Sequence, residues 1–390
     1  MKICACVTEY NPFHLGHLKH ISYMKNELHA EKIIAVMSGN FVQRGDAAVL
    51  NKYTRARHAI LAGADIVLEL PTVFAAANAE IFAKGAVNLI CDLNIVDGIC
   101  FGAETADKEK FINLAHAMNN ESKEFKKTLK GYLADGVSLA KAKFLALQSL
   151  GETNLDESLI SSPNNILGLE YTKALLKNNS SIEIYPLLRE NSHNDAVLQK
   201  GITSATSIRN ELKSGNIKKL KKCVPPFVYS DLSNFTADFD KMIMAEVYRT
   251  PATEFAKILD CTEGLENRIK ALSKDNRSLP KLIEKVSTKR YTEARVRRIL
   301  LANLLKIKES LVFEALGSKL YAKVLAVSAN SKDLISMLAE KSSIPILTRK
   351  SDCESLKGIA KESFDIDTLA NDLYNLIANE KNNEYQMIIV

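Results

Sequence analysis

An α/β fold is expected of this chain, with a Rossmann-like parallel sheet in the first half and a mainly helical second domain after it. Three observations lead there. Short apolar runs at Lys2–Val7, Lys32–Met37, Ile66–Leu70 and Gly98–Phe101 alternate with longer segments of helical periodicity, the pattern of βαβ units with right-handed crossovers. The first run leads into Asn11-Pro12-Phe13-His14-Leu15-Gly16-His17, where a strand hands over to a helix. Beyond about residue 215 the alternation lapses, which at a length of 390 residues suggests two domains, 1–215 and 216–390.

Taken in order, Ile3 to Val7 is continuously apolar, as in a strand buried on both faces of a parallel sheet. Asn11 and Pro12 break it, and from about His14 onward Leu18, Ile21 and Met24 recur at helical spacing. Further helices are expected at Tyr53–Ala64 and Ala75–Leu93, and Thr105–Leu155 reads as mainly helical. Strand character returns at Ile182–Leu188, a polar loop follows, and a helix starts near Thr206. After Lys218-Lys219-Leu220-Lys221-Lys222 the chain reads as helical to about Ile307, with short apolar runs only near Val324–Val327 and Ile344–Leu347. No internal repeat or low-complexity linker is evident.

Composition narrows the functional classes. Hydrophobic residues make up 46%, enough for a full core, yet charges interrupt every stretch that could span a membrane. The N-terminus lacks the pattern of a signal peptide, so a cytoplasmic protein without a membrane partner is expected. The seven cysteines are scattered; only Cys4 and Cys6 are close, on one face of the first strand, and no further ligands stand near them. They read as reduced core thiols, with no metal site. A net charge of +6 permits an acidic partner without demanding one.

The strand-to-helix junction carries the chemistry. A helix start presents free N–H groups and the positive end of its dipole, which suits a phosphate. Gly16 allows a close approach to the backbone. His14 and His17, three apart, share a face of the first turn and can donate to one phosphate. In Ser204-Ala205-Thr206-Ser207-Ile208-Arg209, Ser204 and Thr206 can cap a helix or bond phosphate oxygens, with Arg209 adding a positive fork. Gly102 ends a strand, either starting a turn or admitting a nucleoside against the backbone. Asn164 or Asn165 can cap the following helix or serve a ribose or phosphate, and Arg189 ends another strand. Met37–Asp46 is a polar loop long enough to close over a substrate. Lys52, Arg55 and Arg57 read as a solvated basic face.

The His-x-Gly-His and Ser-x-Thr-x-x-Arg segments resemble the two signatures of the nucleotidylyltransferase superfamily. Glu9–His17, Met37–Gly45, Glu69-Leu70-Pro71, Phe101-Gly102, Pro163–Gly168, Ser204–Arg209 and Thr288–Thr292 together resemble one family, the bacterial tRNA(Met) cytidine acetate ligases. The likeness spans about residues 1–300, in order. It implies a nucleotidylyltransferase-like catalytic domain over 1–215 that uses ATP to activate acetate and acetylates N4 of the wobble cytidine of elongator tRNA(Met). His14 and His17 would be catalytic. The implied ATP site comprises Val7, Thr8, Glu9, Tyr10, Asn11, Pro12, Phe13, His14, Leu15, Gly16, His17, Leu18, Lys19 and His20, with Gly102, Asn164 and Arg189; Ser204, Thr206 and Arg209 join it through the second signature. Mg²⁺ is expected with the ATP, although no carboxylate cage is readable.

A tRNA substrate requires a surface, and residues 216–390 are expected to supply it. Lys218, Lys219, Lys221 and Lys222 form one basic cluster. Another surrounds Tyr291: Lys289, Arg290 and Arg297 would meet phosphates, the two arginines sharing a face if the helix is continuous, and Tyr291 would stack on an unpaired base. No protein partner is implied. The second reading is a small-molecule adenylyltransferase making a nucleotide cofactor; it leaves the second half of the chain without a task.

Overall fold

The computed structural model describes residues 1–120, 122–137, 139–151, 156–189, 203–232, 238–288 and 290–390. The first apolar run forms β1 (Ile3–Thr8), and the next three form β2 (Lys32–Ser38), β5 (Ile66–Leu70) and β6 (Gly98–Ala103). Between β2 and β5 lie a two-rung hairpin, β3 (Phe41–Val42) with β4 (Asp46–Ala47), and helix α2 (Lys52–Leu61); helix α1 (Leu15–Asn26) follows β1. Strand β7 (Glu183–Leu188) pairs with β6.

Among the described residues the main sheet has eight strands in the order β10 (Ile388–Ile389), β8 (Ala322–Val327), β5, β2, β1, β6 and β7, with β9 (Ile346–Leu347) beside β8. β5, β2, β1, β6 and β7 are mutually parallel. The chain runs outward from β1 through β2 to β5, then returns to the other side of β1 for β6. The carboxyl ends of β1 and β6 therefore flank a topological switch point, where such sheets hold ligands. Alternate strand residues feed two cores. Ile34, Val36, Ile66 and Leu68 pack with the helices Ala79–Asp92 and Pro163–Lys177, whereas Cys4, Cys6, Ala35 and Met37 pack with α1 and α2.

The last third of the chain returns to this sheet. β8 (Ala322–Val327) lies antiparallel on β5, and β9 (Ile346–Leu347) and β10 (Ile388–Ile389) add to β8. The division expected at residue 215 follows the chain, and the sheet does not respect it. The helical character after 215 holds for Asp240–Arg249, Leu265–Ser273, Leu279–Val286, Glu293–Leu304 and Gly358–Ala378. All seven cysteines are free, and burial pushes the Cys4 and Cys6 thiols up to about 12, so these stay protonated. No helix among the described residues is long and apolar enough to cross a membrane.

Candidate active site

The turn after β1 delivers His14 as the N-cap of α1. Its Nδ1 accepts the Gly16 N–H at 3.0 Å, and the Nδ1 of His17 accepts the His14 N–H at 3.3 Å. These reciprocal bonds hold the rings stacked, centroids 3.7 Å apart and 19° from parallel. They also set the tautomer: a ring whose Nδ1 accepts carries its proton on Nε2. Tyr10 and Phe13 pack against His17 at centroid distances of 4.9 and 5.4 Å. Burial, then the charges of Arg189 and Arg209, lowers His14 to about 3; burial, then His14 and Arg189, holds His17 well below its usual value. At neutral pH both rings are therefore uncharged Nε2–H donors.

One expectation is overturned at this point. The first amides of α1 are already used inside the protein: Leu15 N–H donates to the Cys223 carbonyl at 3.2 Å, Gly16 N–H to His14 Nδ1, and His17 N–H to the His14 carbonyl at 2.9 Å. A carbonyl from the second half of the chain and the histidine's own ring occupy the groups expected to be free. The groups left to meet an anion here are side chains.

Those side chains come from three directions. Arg209, on the helix Ala205–Lys213, donates to the Asn11 carbonyl at 2.8 Å and to Thr206 Oγ1 at 3.1 Å. Arg189 follows β7, its N–H donating to the Ala103 carbonyl at 2.9 Å. Its side chain runs past Gly102, where an added Cβ would stand 3.3 Å from Arg189 Cγ, and its buried Nε has no partner among the described residues. Both arginines act on His14 electrostatically, so Arg189 and Arg209 stand near the histidines at the switch point. Val7 and Thr8 end β1 below it; Glu9 Oε1 accepts the Gln43 N–H at 2.9 Å, and Asn11 Oδ1 accepts the Val49 N–H at 2.8 Å. Pro12 is joined to Asn11 by a cis peptide bond.

The remaining expected residues divide. Asn164 Nδ2 donates to Glu104 Oε1 at 2.6 Å, and Glu104 Oε2 accepts the Asn165 N–H at 3.0 Å, so these asparagines tie their helix to the end of β6 and do not cap it. Glu104 also faces Arg189. Glu104 is missing from the expected site residues; its place one residue past a strand end is the signal that the sequence offers. Ser204 caps its helix through Oγ to the Ser207 N–H at 3.1 Å, leaving Thr206 as the hydroxyl at the arginines. His20 Nε2 meets Cys100 Sγ at 3.1 Å. Leu18 packs into the α1-side core, and Lys19 is exposed.

Lys52 and Arg55 correct the solvated-face reading. Arg55 is fully buried and donates to the carbonyls of Leu50, Glu9 and Ser38 at 2.8, 2.6 and 3.0 Å, and to that of Gly39. It binds together the carboxyl ends of β1 and β2. Lys52 is buried between Glu69 and Glu384; of the three cations only Arg57 is markedly exposed. Helical spacing locates a face without saying what covers it, and here the cover is the loop after β2 and the C-terminal segment.

The continuous helix assumed through Arg290 and Arg297 is also corrected. Thr292 caps a helix that begins at Glu293, and Arg290 and Tyr291 lie in the preceding turn, where Thr288 N–H donates to the Tyr291 carbonyl. Arg290 makes a paired contact with Glu263 (2.5 and 2.9 Å) and is 68% exposed; Tyr291 OH donates to the Glu263 carbonyl. Arg297 pairs with Glu293 and, across to the β3–β4 hairpin, with Asp46 at 3.3 Å. Lys289 lies outside the described residues. Lys218, Lys219, Lys221 and Lys222 are exposed on a 3₁₀ turn that ends at Cys223. No group of three His, Cys, Asp or Glu side chains among the described residues could hold a metal ion.

A family model described as HIGH Nucleotidyl Transferase matches residues 1–387. The chain is 37% identical to a tRNA(Met) cytidine acetate ligase of Alkaliphilus metalliredigens (strain QYMF), covering 99% of this chain and 96% of that protein. It is 36% identical to one of Thermoanaerobacter sp. (strain X514), covering 96% and 95%. The crystal structure of Thermotoga maritima TmcAL in its apo form superposes with a TM-score of 0.94 over the whole of both chains at 28% identity. The form bound with alpha-thio ATP superposes at 0.91, also at 28% identity and over the whole of both chains.

Proposed function

Because the chain belongs to the HIGH nucleotidyl transferases and, among them, to the tRNA(Met) cytidine acetate ligases, we propose that it spends ATP to join acetate to N4 of the wobble cytidine of elongator tRNA(Met). The supporting observation is the stacked pair His14–His17 at the start of α1, uncharged and within the field of Arg189.

The chemistry follows from leaving groups. Acetate cannot acylate an amine directly, because oxide would have to depart. Attack of an acetate oxygen on the α-phosphorus of ATP forms acetyl-adenylate and expels pyrophosphate. The N4 amine then attacks the acetyl carbon, AMP leaves and the amine loses a proton. His14 and His17 would stabilise charge on the α-phosphoryl oxygens, and Arg189 and Arg209 the departing pyrophosphate. Gly102, Asn164 and the Val7–His20 segment would hold the nucleotide, with Thr206 at the phosphate corner and Ser204 capping its helix. Magnesium would be carried by the ATP phosphates and water, since no group of three His, Cys, Asp or Glu side chains among the described residues could hold it. The enzyme would work in the cytoplasm with its RNA.

The test is pyrophosphate exchange with a panel of acceptors. Exchange that depends on acetate, followed by acetylation of elongator tRNA(Met), is the expected result. Exchange only with a phosphorylated cofactor precursor would establish the adenylyltransferase reading instead.

For the RNA we propose the basic side of the region 216–390, with Lys289, Arg290, Tyr291 and Arg297 as contacts. Arg290 can exchange its exposed carboxylate partner for a phosphate at little cost, because solvent screens such a surface pair. Lys289→Gln with Arg290→Gln is expected to weaken tRNA binding and to reduce its salt slope by about one to two. Acetate-dependent exchange, which needs no RNA, should continue; an equal fall in exchange would refute the division of labour.

A further inference from the structure

The two asparagines that open the helix Pro163–Lys177 are used differently. Asn165 is fully buried and fully engaged. Its Oδ1 accepts the N–H groups of Glu104 and Thr105 at 2.8 and 3.2 Å, and its Nδ2 donates to Thr105 Oγ1 at 3.3 Å and to the Ser158 carbonyl at 3.1 Å. Asn164 is half-buried and half engaged. Its Nδ2 donates to Glu104 Oε1 at 2.6 Å, and among the described residues no hydrogen bond reaches its Oδ1. Of the pair, only Asn164 has a group left for a ligand.

Chemistry decides which group that is. A carboxylate only accepts, so the amide beside it must turn its NH₂ toward Glu104 and its oxygen away. Glu104 is held from its other side, because its Oε2 accepts the Asn165 N–H at 3.0 Å. The helix itself is clamped to β6. Gly168 lies so close to Phe101 that an added Cβ would stand 2.3 Å from the ring. The end of β6 therefore presents one fixed acceptor, two residues of chain away from Gly102 through Glu104, whose charge also acts on Arg189. An acceptor set in this way suits a donor and disfavours a phosphate oxygen.

We propose that Glu104 is a positioning residue that fixes Asn164 as the acceptor for a donor on the nucleoside, a ribose O–H or the amino group of the base. The proposal rests on the reading of the switch point as an ATP site and assigns that site its polarity.

The experiment is titration calorimetry of the full chain with ATP, using wild type, Glu104→Gln, Asn164→Asp and the double variant. In Glu104→Gln the new NH₂ meets that of Asn164, which must turn its oxygen inward and lose the acceptor. Asn164→Asp sets two carboxylates against each other. Each single variant should weaken ATP binding by about tenfold or more. In the double variant the new amide donates to the new carboxylate, whose second oxygen is again an acceptor, and the net charge of the pair is unchanged. Its ATP affinity should return to within about threefold of wild type.

Two analogues identify the donor. 2′,3′-Dideoxy-ATP lacks the hydroxyls and inosine triphosphate lacks the amino group. The one without the relevant donor should bind wild type and Glu104→Gln alike, while the other loses affinity as ATP does. ATP affinity unchanged in Glu104→Gln, a double variant no tighter than the single ones, or both analogues losing affinity as ATP does, would overturn the proposal; the last two are the marks of a clasp that is only structural. A wild type that binds ATP without acetate-dependent exchange would sink the ligase reading alone. A wild type that does not bind ATP would overturn the nucleotide reading and the role of Glu104 with it.

Discussion

Alanine at His14 or at His17 is expected to lower acetate-dependent pyrophosphate exchange by about a hundredfold or more, the usual cost of removing one well-placed donor from a transition state. Both side chains also have a structural task, because each Nδ1 accepts a backbone N–H at the start of α1. Loss of such a cap costs about 0.5–2 kcal/mol, so the alanine variants should melt somewhat earlier. Asparagine separates the two effects. Its amide oxygen can take the place of Nδ1, while nothing replaces the Nε2–H donor. His14→Asn should therefore regain most of the melting temperature and none of the exchange rate. A near-normal rate in any of these variants would remove the histidines from the chemistry.

Glu384→Ala is expected to cost about 3–5 kcal/mol of folding stability, the range for leaving a buried charge without its partner. Lys52 Nζ lies 2.8 and 2.9 Å from the two oxygens of Glu69, and 2.8 and 2.7 Å from those of Glu384. Lys323 Nζ lies 3.1 Å from Glu69 Oε2 and also contacts Glu384. All four side chains are at most 2% exposed, so two ammonium and two carboxylate groups meet in one buried cluster. Burial would raise the Glu69 carboxyl, and Lys323 and Lys52 outweigh it, so the carboxylate stays ionised. Without Glu384 two cations would face one anion. A lower urea midpoint at unchanged slope is the measurement. Glu384→Ala with Lys323→Met restores the balance of charge and should recover part of the loss. A single variant within about 1 kcal/mol of wild type would mean that the site tolerates an unpaired ammonium.

What could be read from the sequence was local. β1, the break at Asn11-Pro12 and the start of α1 at His14 all lie within one short segment, so apolar continuity and helical spacing sufficed to find them. The same holds for β2, β5, β6 and β7, whose positions the apolar runs mark to within a few residues. Side-chain chemistry at strand ends was legible in the same way, because parallel sheets gather their ligands there whatever the loops do.

Partnership across long separations was not legible. Lys52 looks like a surface lysine until Glu384, 332 residues on, is seen to cover it. The amides of α1 look free until the Cys223 carbonyl reaches Leu15. Arg290 and Arg297 look like one helix face until Thr292 is seen to start the helix between them. Local propensity and spacing determined which segments are strands and helices, and which residue types stand at their ends. Only the tertiary structure decided which charges are buried, which donors remain for a ligand, and that the C-terminal strands belong to the first sheet. The reason is physical: burying an ionised or hydrogen-bonding group is tolerable only where a partner meets it, and these partners are supplied by chain segments far away in sequence.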